Sequence, residues 1–132
     1  MSNLFYDSVA QVLEVDEVGF DTDFRQTPGW CSLQAFGLLV LMENDWRAPL
    51  DIVRLKAMRT VGDLYCEAFV AFAASVFGVD RAALGPESAY GSIPEWDSVN
   101  HLRLVMEAEK RFGTSYPLES VPGLRTLRDF LV

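Results

Sequence analysis

The sequence has little from which to build a catalytic or metal centre. Its 132 residues include one histidine, His101, and two cysteines, Cys31 and Cys66. A single histidine leaves a zinc site or a catalytic triad little to draw on. Two cysteines make neither a disulfide framework nor a metal cluster. Cations are also scarce, 11 Lys and Arg against 19 Asp and Glu, for a net charge of −8. That balance argues against nucleic acid and anionic membrane as partners, since both select basic surfaces, and suits basic protein partners. The longest apolar run, Ala35 to Met42, is far too short to span a bilayer. The opening residues, MSNLFYDSVA, lack the basic start and apolar stretch of a signal peptide. The expected location is therefore the cytoplasm. The acids Asp16-Glu17 and Asp21/Asp23 lack the spacing and the glycine of a calcium loop, so no metal site is expected.

What the chain does have is a core and a repeat. Half of it is hydrophobic and 12% is aromatic, which predicts a folded protein rather than a disordered one. "FRQTPGWCSL" from Phe24 aligns with "YGSIPEWDSV" from Tyr90, pairing Pro28 with Pro94, Trp30 with Trp96 and Ser32 with Ser98, each 66 residues apart. "RTVGDL" from Arg59 pairs with "RTLRDF" from Arg125, and Trp46 with Phe112, at the same spacing. "LEVD" before Glu17 matches "FGVD" before Arg81 at 64, which needs a two-residue gap, and a compensating gap is expected near Pro49 and Pro117. Matched anchors in one order mark an internal repeat.

Each unit of about 66 residues reads alike. A first amphipathic helix is carried by Leu4, Val9, Val12 and Leu13, or by Phe69, Phe72, Val76 and Phe77. A turn-rich loop follows, then a helix beginning at the Ser, a Pro-containing loop, a short helical piece and a last helix after Arg59-Thr60 or Arg125-Thr126. No stretch alternates with period two. The predicted fold is all-α: two small four-helix bundles in tandem, residues 1–66 and 67–132. Between Val61 and Val79 there is no Pro and no Ser/Gly-rich linker. The last helix of the first unit is expected to run into the first helix of the second as one continuous helix over about 61–78. A break near Cys66–Ala68 is the alternative.

The stretch "PEWDSVNHL" concentrates the functional question. Asp97 is a good helix N-cap, and a cap needs no covalent role for Ser98. Ser98 would nonetheless stand exposed at a helix start, beside unpaired backbone N–H groups and the positive end of the helix dipole, which suits an attached anion. Trp30 and Trp96 would pack each loop onto its bundle just before the Ser.

In these residues the chain resembles acyl carrier proteins, and both units do so over nearly their full length. Each has a first helix ending in "VLEVD" or "VFGVD", a long loop ending in an aromatic-x-Ser, an aromatic fourteen residues after the Ser, and "RTVGDL" or "RTLRDF" opening the last helix. The family's Asp-Ser-Leu signature stands here as Asp97-Ser98-Val99 and, altered, as Cys31-Ser32-Leu33. The resemblance implies a carrier and not an enzyme. A phosphopantetheinyl transferase would attach 4′-phosphopantetheine covalently to Ser98, with Asp97 serving transferase recognition as well as the cap. The arm would hold acyl intermediates as thioesters for fatty-acid or polyketide-type biosynthesis. The implied partners are acyl-loading, ketosynthase-type or acyltransferase enzymes.

Ser32 is a second candidate attachment site. Cys31 replaces the Asp, removing a cap and a charge, and reads as a small, semi-buried substitute. The helix that follows is apolar around much of its circumference from Ala35 to Met42, so it is expected to be partly covered by the other unit or by a partner. The first unit is thus either a second carrier or a degenerate docking module. In the second unit Val99, Leu102, Val105, Met106 and Phe112 are expected to face the core. Arg103, Lys110 and Arg111 dilute the acidic character usual in the family, which points to a dedicated partner set. His101 reads as a surface or rim residue. The rival function is a non-catalytic interaction protein on a carrier-like scaffold, self-associating through the 35–42 helix with Leu38 and Leu41 as contacts. A hydrolase using Cys31 or Ser98 is a more distant rival.

Overall fold

A computed structural model of the chain describes residues 3–131. It is all-α, with helices α1 (Leu4–Leu13), α2 (Ser32–Asn44), α3 (Ile52–Ala57), α4 (Val61–Phe77) and α5 (Ser98–Phe112) joined by loops and short 3-10 segments. Sequence punctuation explains the boundaries. The Asn3 side chain accepts the amides of Phe5 and Tyr6 to start α1, and Thr60 with Asp63 forms a reciprocal capping box on α4. Gly78 and Gly113 end α4 and α5 in the left-handed conformation, where a side chain would be strained.

The absence of a linker between Val61 and Val79 has the expected result. α4 is one unbroken helix of 17 residues, with no break at Cys66–Ala68, roughly 25 Å long at 1.5 Å per residue. Val61, Leu64, Tyr65, Ala68, Phe69, Ala73 and Phe77 are all buried, so α4 presents apolar surface on several sides. A helix apolar around its circumference is stable only as a central element, and a single continuous core surrounds it. Phe112 of α5 reaches both Tyr65 and Phe69 of α4, and Trp46, just beyond α2, stacks on Phe112.

The spacing of 66 recurs in the hydrogen bonds. Phe24 N–H donates to the Arg59 carbonyl and Tyr90 N–H to the Arg125 carbonyl; Val61 N–H donates to Thr22 and Leu127 N–H to Ser88; Gly62 N–H donates to Phe20 and Arg128 N–H to Pro86. Isolated bridges join Asp23 to Thr60 and Ala89 to Thr126. These bonds tie each long loop to the start of the segment after the Arg-Thr pair. α3 starts at Ile52 and a 3-10 segment at Leu118, again 66 apart, so no compensating gap at Pro49 and Pro117 is needed.

Two expectations are corrected. The segment after Thr126 is one 3-10 stretch, Leu127–Phe130, although it carries the same Thr-Asp capping box as α4. Its anchor is Phe130, whose carbonyl accepts the Tyr116 hydroxyl at 2.6 Å and whose ring is buried. The inward stripe of α5 is rotated from the expected one. His101, Leu104, Val105, Ala108 and Phe112 face the core, whereas Val99, Leu102 and Met106 are 72%, 52% and 57% exposed. The residues at 101, 104, 105, 108 and 112 form the i, i+3, i+4, i+7 stripe of a helix. Weighting aliphatic residues over His101 and Ala108 put the stripe one position away.

Candidate functional site

Ser98 is the first residue of α5 and is exposed. Asp97 precedes it in extended conformation, and its carboxylate accepts the Asn100 amide at 2.9 Å. Asn100 in turn donates from its side chain to the Glu95 carbonyl at 2.7 Å, stitching the loop to the first helical turn. The remaining first-turn amides lack intrahelical acceptors, and the helix dipole adds positive potential there. The hydroxyl therefore stands where an attached phosphate would be stabilised.

What holds this corner is a pair of aromatic side chains. Trp96 is buried, packs on Phe77 of α4, and donates its indole N–H to His101 Nδ1 at 3.0 Å. His101 is itself buried, which corrects its reading as a rim residue. Tyr90 and Phe130 meet its ring edge to face. Burial pushes the imidazole below its ordinary range, while a hydrogen bond to the Val121 backbone works the other way. Nδ1 accepts from Trp96, which makes the ring the neutral Nε2–H tautomer. Nδ1, the basic nitrogen of that tautomer, is committed to Trp96, so His101 is not free to act as a base toward Ser98. The signal in the sequence is Trp96 followed five residues later by the only histidine, but without the fold nothing indicates that they meet.

An apolar pocket of about 540 Å³ opens beside Ser98, with Tyr90, His101, Leu102, Val121 and Leu124 among its lining residues. A smaller pocket of about 260 Å³ lies beside Ser32, lined by Phe24, Trp30, Ala35 and Leu55 among others. Trp30 accounts for part of the difference. It is only half-buried and lies over Phe24 at the pocket wall, whereas Trp96 turns inward against Phe77.

Ser32 opens α2 as Ser98 opens α5, but its cap differs. Cys31 makes no side-chain bond to the helix and is exposed, so it is not the semi-buried substitute expected. The apolar circumference of α2 resolves into two faces. Leu38, Leu41 and Met42 are buried in the chain's own core, so Leu38 and Leu41 are not surface contacts. Leu33, Phe36 and Val40 remain exposed. With Ile52 they match exposed Val99, Leu102, Met106 and Leu118, each 66 residues on. Each serine is thus followed by an exposed apolar stripe.

The two serines are not brought together. α2 and α5 approach at their C-terminal ends, where Trp46 stacks on Phe112 and Arg111 bonds the Asp45 carbonyl, and both serines lie at the opposite ends. Among the described residues no group of three or more His, Cys, Asp or Glu side chains could hold a metal ion. No described helix is long and apolar enough to cross a membrane.

No family model and no solved structure matches the chain. Two curated proteins do. An acyl carrier protein of Myxococcus xanthus is 35% identical over 52 residues, which is 39% of this chain and 66% of that protein. An acyl carrier protein of Micrococcus luteus is 35% identical over 52 residues, 39% of this chain and 64% of that protein. The chain spans just under two thirds of the length of these relatives, and within that span it carries an acyl-carrier-protein-like region.

Proposed function

We propose that the chain is a tandem acyl carrier. Its units are residues 1–66 and 67–132, and Ser98 accepts a covalent 4′-phosphopantetheine arm. The observation that carries this reading is the placement of Ser98: exposed, first in a 15-residue helix, capped by Asp97 and beside a pocket of about 540 Å³. The residues present fit the group. A phosphodiester at the Ser98 hydroxyl would meet first-turn amides and the positive end of α5. When attached, the arm supplies a thiol that holds an acyl group as a thioester. The chain's own residues position the site. Asp97 holds the first turn and presents a carboxylate to the transferase, Trp96 and His101 pin the loop, and Val99, Leu102 and Met106 offer a docking stripe.

The recurrence of loop bonds, bridges and exposed apolar positions at a spacing of 66 supports a two-unit reading. Ser32 is the second candidate acceptor, since its hydroxyl is exposed at a helix start, although the cap is missing and the pocket is smaller. The partners of this reading are a phosphopantetheinyl transferase and acyl-loading, ketosynthase-type or acyltransferase enzymes of a fatty-acid or polyketide-type pathway. Its location is the cytoplasm.

Intact mass after co-expression with a broad-specificity transferase tests the proposal. One added arm, lost in Ser98→Ala, is the expected result, and two arms would make Ser32 a second site. No arm with any transferase tried would sink it. Exposed Leu33, Phe36 and Val40 favour one rival, a docking or self-associating protein without an arm. A stable dimer in light scattering, lost in Phe36→Asp, would favour that rival.

A further inference from the structure

Away from both serines, a groove of about 560 Å³ runs between the loop after α2, α3, α4 and the Arg81–Ala83 turn. Arg47, Arg54 and Arg81 line it. That is three of the chain's 11 cations in a protein of net charge −8. Glu67, whose side chain is only 15% exposed, holds two of them: it pairs with Arg81 at 2.9 Å and with Arg54. Arg81 also donates to the Leu84 carbonyl at 3.2 Å. Glu67 therefore orients both guanidiniums, which stay partly exposed. Arg47 forms no ion pair among the described residues. Its backbone is left-handed, φ 54°, a conformation rare for a long side chain. Of the groove's acids, Glu67 is spent on the arginines and Asp80 caps the amide of Ala82. The α4 side of the groove, its floor, carries the small residues Ala71, Ala74 and Ser75.

The fold does not require this charge. The places matched by the repeat to Arg47, Arg54 and Arg81 hold Gly113, Ser120 and Glu17. The same frame is built there without arginine. A groove of this size takes a small organic molecule rather than a bare ion. Guanidiniums held in position by a carboxylate suit the planar, bidentate recognition of a phosphoryl group.

We propose that the groove between α3 and α4 is a binding site for a small organic phosphate monoester, gripped by Arg47 and Arg81 with its organic body over Ala71 and Ala74. The site is separate from Ser98 and Ser32, so its failure would leave the carrier reading untouched.

Amide NMR of the full chain titrated with millimolar phenyl phosphate tests it, with sodium chloride at matched ionic strength as the control. The expected result is saturable shifts clustered at Ala48, Ala71 and Ala82. Arg47→Gln should weaken the affinity roughly tenfold or more, the loss of a charge-assisted bond, with unchanged thermal unfolding. Inorganic phosphate alone should bind more weakly, having no organic body for the floor. Shifts scattered over the surface, shifts equal to those with chloride, or an affinity unmoved by Arg47→Gln would overturn the proposal and leave the arginines as a clamp on α4.

Discussion

Trp46 and Phe112 hold matched places in the repeat, 66 residues apart, and stack on each other with ring centroids 5.1 Å apart and planes 11° from parallel. Arg111 lies over the Trp46 ring at 4.0 Å, and the indole N–H donates to Ser8 at 3.1 Å. Residues matched by the repeat thus touch one another within one core. Trp46→Ala or Phe112→Ala should each cost about 3–5 kcal/mol. The loss should appear as a lower midpoint of one cooperative transition, the same by circular dichroism and by tryptophan fluorescence. Two separated transitions in the parent chain would contradict a shared core.

His101 should make stability depend on pH. Its folded pKa lies below the ordinary value of 6.5 because it is buried. The unfolded chain therefore binds the proton more readily than the folded one. The stabilisation by neutral His101 is present above about pH 6.5 and falls away as pH drops through that value toward the lowered folded pKa. Protonation would also place an N–H on Nδ1 facing the Trp96 indole donor. Thermal unfolding measured between about pH 7.5 and 5 should show this loss, and in His101→Gln the slope over the same range should flatten.

Gly62 is a site of close approach. A Cβ there would lie 2.7 Å from the Phe20 carbonyl oxygen and from its ring, while Gly62 N–H donates to that carbonyl at 2.8 Å. The backbone contact cannot yield without breaking the loop's tie to α4. Gly62→Ala should destabilise by about 1–3 kcal/mol, despite the usual helix preference for Ala over Gly. Chemical denaturation would measure it, and a neutral or stabilising result would contradict the packing.

The two caps offer a reciprocal test. Asp97→Ala should cost about 1 kcal/mol by orphaning the Asn100 amide, and Cys31→Asp should gain a similar amount by giving α2 the cap it lacks. Thermal unfolding measures both. Under the carrier reading the same variants, followed by mass after transferase treatment, should slow loading at Ser98 and promote it at Ser32. Stability that shifts while loading stays constant would confine Asp97 to the cap.

Much of this was legible in the sequence because it depends on local chemistry. Helix starts at Ser32 and Ser98 follow from the loop punctuation before them. The unbroken α4 follows from a stretch with no Pro and no linker. His101 and the α5 stripe were not legible. Which side of α5 faces inward depends on Trp96 and Phe130, distant in sequence or turned inward from a loop, and no periodicity count includes them. The sequence of α2 is apolar around much of its circumference from Ala35 to Met42, and only packing divides the helix into buried Leu38, Leu41 and Met42 and exposed Leu33, Phe36 and Val40. The arginine groove was equally invisible, since Arg47, Arg54 and Arg81 come from three separate segments.

Caps, breakers and apolar periodicity act over a few residues, so the all-α class, the spacing of 66, the two serine positions and the central helix can be read from the chain alone. The tertiary structure decided which faces are buried, that Trp46 and Phe112 meet, that His101 is a neutral acceptor for Trp96, and that the pockets beside the serines are unequal. Each of these depends on side chains brought together across the chain, where packing and desolvation outweigh local propensity.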